Sequence, residues 1–277
     1  MQPMQQRETG PVTFRTPSLR CLAIELTNVC NFKCSKCWSQ SPSLYPPRPK
    51  GYMTRELFYK ILEDIKAHYD PKEMCVAPSY AGESMLHPQF EEFALAMDKV
   101  GFREVQLATN GTCLNSHMNR VLLKAFDSIA ISVHKQPGMG RVLQKARHLY
   151  TMRKGEYPRM RLNVVAEEFT QNDLNMIAVK MRGYSDGVKI ITYISEDMKT
   201  AMQKPGTWPV CMSLCMYMAV LWNGETLPCC HILSPGNWTL GNVEKTSLRS
   251  VFRGAAYAAL RVGDVKGTPC EFCEVRR

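Results

Sequence analysis

The chain has no apolar run long enough to span a bilayer, and Met1 to Gly10 is polar where a secretory signal would carry an apolar stretch. Export and membrane insertion are therefore not expected, and a cytoplasmic protein is. Also missing are an RNA-recognition signature and any single long basic run. The 35 Lys and Arg residues exceed the 25 Asp and Glu for a net charge of +10, but they are scattered in pairs. Such a field draws in anions, whether phosphorylated metabolites, acidic peptides or nucleic acid, and is equally that of a solvated basic surface. With 277 residues, 45% of them hydrophobic, the chain can bury one large α/β domain plus a small appendage.

A fourth nearby cysteine is the most informative absence. Cys30-Asn31-Phe32-Lys33-Cys34-Ser35-Lys36-Cys37 is a CxxxCxxC triad with no further cysteine until Cys75. Four-iron clusters are normally held by four cysteines, so three leave one iron open to an exchangeable ligand. Zinc is the rival, but zinc sites pair CxxC with a second CxxC or an HxxxH, and the next candidates lie far downstream. Nine of the 12 cysteines fall in two groups, 30 to 37 and 211 to 273, leaving Cys21, Cys75 and Cys113 scattered. Grouped cysteines without a secretion signal point to metal rather than disulfides, and to an oxygen-sensitive protein.

Met1 to Arg20 reads as an arm. Leu22 to Leu26 is a buried strand that delivers the chain to Cys30, placing the triad on a loop at a strand's C-terminal end, where parallel α/β barrels keep their chemistry. A proline-rich crossing, Ser41 to Lys50, leads to a helix capped by Thr54 and running to about His68, with Leu57, Ile61, Leu62 and Ile65 on one face. Strands near Met74–Ala77, Glu104–Ala108, Ser128–Val133, Leu162–Ala166 and Val188–Tyr193 then alternate with helices near Phe90–Val100, Ser116–Ala125, Gly140–Met152 and Asn172–Met181. Repeated βα units predict a parallel sheet.

The triad resembles that of the radical S-adenosylmethionine (radical SAM) superfamily. There the amino and carboxylate groups of SAM chelate the open iron, and an electron from the cluster cleaves SAM to a 5'-deoxyadenosyl radical that takes hydrogen from substrate. The resemblance implies a partial (β/α)6 TIM-like barrel and a reducing partner such as flavodoxin or ferredoxin. Ala81-Gly82-Glu83 resembles the GGE motif that holds the SAM amino group, with Ala81 where a glycine is usual. Asn110 in Thr109-Asn110-Gly111 and Ser132 at the end of the fourth strand are implied SAM contacts. Many relatives have aspartate where this chain has His134, which is a candidate proton acceptor. An aromatic residue commonly precedes the third cysteine; here it is Lys36, and Trp38 is the candidate for adenine contact. Arg161 and Tyr193, near strand ends, are candidates for substrate contact.

Cys211, Cys229 and the terminal Cys270-Glu271-Phe272-Cys273, with Leu240-Gly241-Asn242-Val243 between, resemble the SPASM/twitch extension of the superfamily in its short form with one auxiliary four-iron cluster. Cys215, one helical turn on, is the rival to Cys211. Tyr217–Trp222 and Glu225–Pro228 around Asn223-Gly224 predict a hairpin with a type I' turn. Cys229 and Cys230 point to opposite faces of an extended strand, so one of them is packing. The expected organisation is residues 1–20 as extension, 21–195 as barrel and 196–277 as twitch domain, a hairpin plus helix. Two four-iron clusters and SAM are the expected cofactors. Complete protein ligation makes the auxiliary cluster an electron carrier, which suits oxidation or rearrangement of a small polar, sugar-like metabolite, as in twitch dehydrogenases that act on an aminocyclitol. Radical modification of a peptide or protein is the alternative, and a non-enzymatic zinc or redox protein a third.

Overall fold

The computed structural model describes residues 17–34, 37, 48–165, 168–191, 211–229, 238–268 and 270–271. Trp38, Tyr193, Cys230 and Cys273 lie outside the described residues. Six strands run parallel: β1 (Cys21–Ile24), β2 (Cys75–Ala77), β3 (Glu104–Thr109), β4 (Ser128–Val133), β5 (Arg159–Val165) and β6 (Gly187–Ile191). Helices α1 (Arg55–His68), α2 (Phe90–Val100), α3 (Ser116–Ala125), α4 (Met139–Met152) and α5 (Gln171–Met181) connect them in turn. No helix among the described residues is long and apolar enough to cross a membrane.

Local chemistry sets the helix ends. The Thr54 hydroxyl accepts the Leu57 N–H (3.2 Å) at the start of α1, and Thr170 and Asp173 form a reciprocal capping box on α5. Gly101 closes α2 in the left-handed conformation (φ +76°). α1 buries Leu57, Phe58, Ile61, Leu62 and Ile65, each contributing roughly 2 kcal/mol by leaving water. Phe58 stacks on Phe93 of α2 (centroids 4.0 Å apart), and the His87 ring closes the same group at 4.9 Å. His87 is neutral scaffold. Its Nδ1 accepts the Gln89 N–H (3.0 Å), so its Nε2–H donates to the Met53 carbonyl (2.9 Å), and burial holds it below the usual histidine range.

Two features differ from the sequence expectation. β5 starts at Arg159, three residues before the apolar run at Leu162, because Arg159, Arg161 and Asn163 alternate with the buried Met160, Leu162 and Val164. The helices cover one face of this strand and the lumen wets the other. The second difference is at the hairpin. After α6 (Met212–Met216), β7 (Tyr217–Val220) and β8 (Thr226–Leu227) pair antiparallel, but β7 also joins β1 in parallel register, Cys21 opposite Tyr217. One eight-stranded sheet results, in the order β6-β5-β4-β3-β2-β1-β7-β8. The turn is not type I', which needs positive φ at both central residues. Among the described residues only glycines have positive φ, so Asn223 does not qualify. Gly224 (φ +81°) instead donates its N–H to the Leu221 carbonyl (2.9 Å), while the Leu221 N–H reaches the Glu225 carbonyl (2.8 Å). That is a three-residue loop with a glycine bulge. α7 (Leu248–Arg253) and α8 (Ala255–Arg261) follow, and the Leu248 N–H bonds Asp64 of α1 (3.0 Å).

Candidate metal centre and barrel lumen

Beyond β1 the chain passes through Glu25, Thr27 and Asn28, all buried, before reaching Cys30. Each of these polar side chains has partners. Glu25 takes the Arg48 guanidinium on both oxygens (2.5 and 3.1 Å) and the Trp222 N–H (3.3 Å). Such a bidentate pair is strong in geometry, and removing one member strands a buried charge. The Thr27 hydroxyl donates to the Gly51 carbonyl (2.6 Å), and the Asn28 side chain donates to the Pro49 carbonyl (2.8 Å) and accepts the Gly51 N–H (3.0 Å). The cysteine loop is thereby laced to residues 48–51. Lys50 donates to the Asn28 carbonyl (3.0 Å); burial and then Arg48 hold its ammonium below the ordinary range, while Cys30 and Cys37 act the other way.

The Ala81-Gly82-Glu83 loop presses against the other side. A Cβ on Gly82 would stand 2.6 Å from the Val29 carbonyl oxygen and 2.7 Å from that of Thr27, and Gly82 has φ +70°. Glycine is thus required twice over, by conformation and by space. Ala81 is buried with an ordinary φ, which is why the methyl group there is tolerated. The Glu83 N–H donates to the Val29 carbonyl (2.8 Å), and its carboxylate turns inward, 2% exposed, to accept the Asn110 N–H (2.6 Å), the Thr109 hydroxyl (2.9 Å) and the Met85 N–H (3.3 Å). Burial raises the Glu83 carboxyl above its ordinary value against these three donors. Because every neighbour is a donor, Glu83→Gln would turn an amide N–H2 toward an N–H or O–H. A stability loss of about 2 kcal/mol is expected, read as a lower denaturant midpoint.

Asn110 completes the clamp. Its Nδ2 donates to Asn31 Oδ1 (2.8 Å) and toward Cys30 Sγ (3.8 Å), and its Oδ1 accepts from the Thr112 N–H (3.0 Å) and hydroxyl (2.6 Å). His134, at the end of β4, lies with Nδ1 3.6 Å from Cys34 Sγ and 3.2 Å from Glu168 Oε1, its ring edge-on to Phe32 (5.9 Å). Glu168, whose other oxygen accepts the Lys135 N–H (2.8 Å), was not singled out from sequence, since nothing local links residues 134 and 168. Burial, with the charges of Cys37, Glu168 and Cys30 adding, pushes the Cys34 thiol up to about 12; burial also raises Cys30. Among the described residues no three His, Cys, Asp or Glu side chains converge at the spacing of a single ion. The donor set instead suits a multi-iron cluster: the Cys30 thiol near Glu83 and the Cys34 thiol near Glu168 are both raised by burial, and metal charge would favour their thiolates.

The lumen lies beside this loop. Residues paired in parallel register point to the same face, so Gln106, Ser128 and Arg159 form one level, Ala108, Ala130, Arg161 and Gly187 the next, and Ser132, Asn163 and Lys189 a third. Arg161 and Ser132 are therefore both lumenal, with Ser132 nearer the cysteine loop. Arg159, Asn163 and Lys189 were not picked out from sequence; the period-2 alternation Arg159-Met160-Arg161-Leu162-Asn163-Val164 is the signal that finds the first two, and Lys189 follows from its register opposite Asn163.

The C-terminal cysteines gather around an aromatic stack. Cys211 caps α6, Cys215 lies within it, and Cys229 and Cys270 are buried. The Arg261 guanidinium lies over the rings of Phe252 (4.4 Å) and Tyr257 (4.6 Å), and its Nε–H donates to the Leu214 carbonyl (2.8 Å). The Tyr257 hydroxyl donates to the Tyr217 carbonyl (2.6 Å). Burial raises Tyr257 well above its ordinary value, Arg261 opposes this, and Cys229 and Cys270 add to it; burial lowers Arg261, which Tyr257 and Cys215 oppose. Sulfurs from three parts of the chain thus flank one cation–aromatic stack. Arg261 Nη2 is buried with no hydrogen-bond partner among the described residues, a donor that fits the sulfur-rich surface of a cluster.

The comparisons agree with this geometry. Residues 24–135 match the radical SAM superfamily and residues 211–274 the SPASM iron-sulfur cluster-binding domain. Curated relatives include probable GTP 3',8-cyclases of two Saccharolobus islandicus strains, 25% identical over 116 residues; each match spans 42% of this chain and only 35% of the relative. Among solved structures, BtrN in complex with AdoMet and 2-DOIA aligns with a TM-score of 0.61 at 14% identity, over 90% of this chain and 89% of BtrN. SuiB of Streptococcus suis bound to S-adenosylmethionine gives 0.64 at 12% identity, over 93% of this chain and 69% of SuiB. anSMEcpe with bound AdoMet and Cp18Cys peptide gives 0.64 at 14% identity, over 92% and 86%. These likenesses establish the fold, a parallel α/β partial barrel, and the two domain types imply SAM and two iron-sulfur clusters as cofactors. The chain thus joins a domain of the radical SAM superfamily, carrying the Cys30, Cys34 and Cys37 loop, to a C-terminal SPASM iron-sulfur cluster-binding domain.

Proposed function

We propose that this chain oxidises a small polar, sugar-like metabolite by radical chemistry, with residues 21–195 as the barrel, 196–277 as the auxiliary-cluster domain and 1–20 as an extension. When bound, the cluster at Cys30, Cys34 and Cys37 and its SAM supply a 5'-deoxyadenosyl radical that takes hydrogen from substrate. The observation that carries the reading is the clamp. Gly82, Glu83 and Asn110, from the ends of β2 and β3, seat the cysteine loop directly beside a polar lumen.

The chain's own residues have the following roles in this reading. Backbone groups of Ala81 and Gly82 hold the cofactor's amino end, since the Glu83 carboxylate is committed to Thr109, Asn110 and Met85. Asn110 and Ser132 meet its remaining polar groups, and Trp38 its adenine. Donation of Nδ1–H to Glu168 leaves the His134 Nε2 lone pair as the proton acceptor at the lumen's mouth. Arg161 and Tyr193 contact substrate. Cys229, Cys270, Cys273 and either Cys211 or Cys215 would hold the auxiliary cluster, which would supply an acceptor for the electron of a net oxidation. A flavodoxin or ferredoxin supplies the first electron.

BtrN, the butirosin radical SAM dehydrogenase, supports this choice of reaction. Peptide modification is the alternative, favoured by the equally good fit to SuiB and to anSMEcpe, both of which have been captured with peptides. To separate them, 5'-deoxyadenosine release is followed under anaerobic reduction with a panel of polyols and amino sugars and, separately, peptides. A polyol that raises release above the uncoupled rate and emerges two hydrogens lighter is the expected result; stimulation by peptides alone would sink the dehydrogenase reading. With such a substrate, Cys270→Ala is expected to lower product formation at least about tenfold while uncoupled SAM cleavage persists, because only the electron's exit is removed. Equal loss of both would make the auxiliary cluster structural.

A further inference from the structure

The lumen floor carries three cations that form no ion pair among the described residues. A cavity of about 390 Å³ is lined by Gln106, Ser128, Arg159, Arg161 and Lys189, together with Glu104 and Asp186. Of the two acids, Asp186 is paired with an arginine outside the cavity lining, which leaves Glu104 alone against three cations. Asp186 takes Arg153 on both oxygens (2.5 and 3.0 Å) and the Met160 N–H (2.6 Å), and Glu104 accepts from the Cys75 thiol (3.6 Å). Among the described residues no carboxylate lies within 4.0 Å of Arg159, Arg161 or Lys189, whereas Arg20, Arg48, Arg55 and Arg153 all have one. Three cations sharing a concave recess repel one another, and the arrangement is stabilised when an anion enters.

The levels of the lumen add dimension to this charge. Two residues along a strand advance about 6.6 Å. From the Arg161 level, past Ser132, Asn163 and Lys189, to His134 beside Cys34 is therefore about 13 Å, roughly the length of a sugar carrying one phosphate. Asn163 Oδ1 is buried with no hydrogen-bond partner among the described residues, so this intermediate level offers an acceptor for a hydroxyl. Guanidinium forks match the paired oxygens of phosphate and carboxylate.

We infer that the lumen binds its substrate through an oxyanion, a phosphate or carboxylate on a small polyol, held at Arg159, Arg161 and Lys189 with Asn163 taking a hydroxyl. The inference rests on the reading of the lumen as the substrate chamber. It narrows the small polar metabolite of the proposed function to an acidic sugar.

The test is calorimetric titration of the anaerobically reconstituted full chain with inorganic phosphate, pyrophosphate and acetate at low salt. Arg161→Gln, Lys189→Gln and, as an exposed control on α2, Lys99→Gln are titrated alongside. Saturable binding is expected in the parent and in Lys99→Gln, with an apparent Kd about tenfold higher in both Arg161→Gln and Lys189→Gln, the effect of losing one charge-assisted hydrogen bond. Preference for phosphate or pyrophosphate over acetate assigns the phosphate arm, and the reverse the carboxylate arm. Equal binding to all four proteins, or none to the parent, overturns the inference. SAM cleavage measured on the same preparation separates the two failures. Cleavage without anion binding removes only the oxyanion site, whereas anion binding without cleavage removes the radical reading.

Discussion

Anaerobic reconstitution of the chain with Cys30, Cys34 and Cys37 all changed to alanine is expected to yield about four irons per chain where the parent holds about eight, and to abolish SAM cleavage. The expectation follows from the separation of the two cysteine sets. The first set lies on the loop between β1 and the Pro49–Gly51 segment. The second surrounds Tyr257 and Arg261. The two sets are about 170 residues apart in sequence and lie in two different family domains, so the auxiliary site should fill in the triple variant. Four irons falling to none, with zinc in the C-terminal site, would remove the electron acceptor and with it the preference for dehydrogenation. Retained SAM cleavage would refute the assignment of the triad.

Gly82→Ala is expected to be almost as damaging, although it adds one methyl group and removes no ligand. The left-handed backbone costs an L-residue about 1–2 kcal/mol. The new Cβ also meets backbone atoms of Thr27, Asn28 and Val29 at 2.6–2.7 Å, and none of these can rotate aside. Overpacking of this kind adds about 1–3 kcal/mol, so a total near 3 kcal/mol should appear in denaturant unfolding, together with poor iron loading of the first site. Ala81→Gly next to it has neither constraint and is expected to stay within about 1 kcal/mol of the parent. Unchanged stability and iron content in Gly82→Ala would show that the loop does not clamp the cysteines.

The parts of the molecule legible from sequence were those written in local order. β4 runs from Ser128 to Val133 and α1 buries Leu57, Ile61, Leu62 and Ile65, as periodicity and the Thr54 cap indicate. β5 was read short because Arg159 and Arg161 look unlike a buried parallel strand; one face of this strand borders the wet lumen instead of packed helices. The turn at Asn223-Gly224 follows the commonest dipeptide rule only in part, since Gly224 alone takes positive φ and the extra residue becomes a bulge. Pairings across long separations were not legible at all. Glu25 with Arg48, His134 with Glu168, and β7 with β1 each depend on where the chain returns, and no local pattern encodes that.

The pairing of β7 with β1 reverses the usual relation between synthesis and assembly. β1 precedes β7 by about 200 residues, yet among the described residues one of its two edges is covered by residues 217–220, and Glu25, just past its end, receives the Trp222 N–H. A Cβ at Gly51 would touch the Trp222 ring at 2.5 Å, so the segment that laces the cysteine loop is itself shaped around that late-arriving indole. Until residues 217–220 arrive, that edge of β1 has no strand partner among the described residues. The support of the cysteine loop is thus shared between the barrel and the C-terminal hairpin, which lies about 190 residues further along the chain.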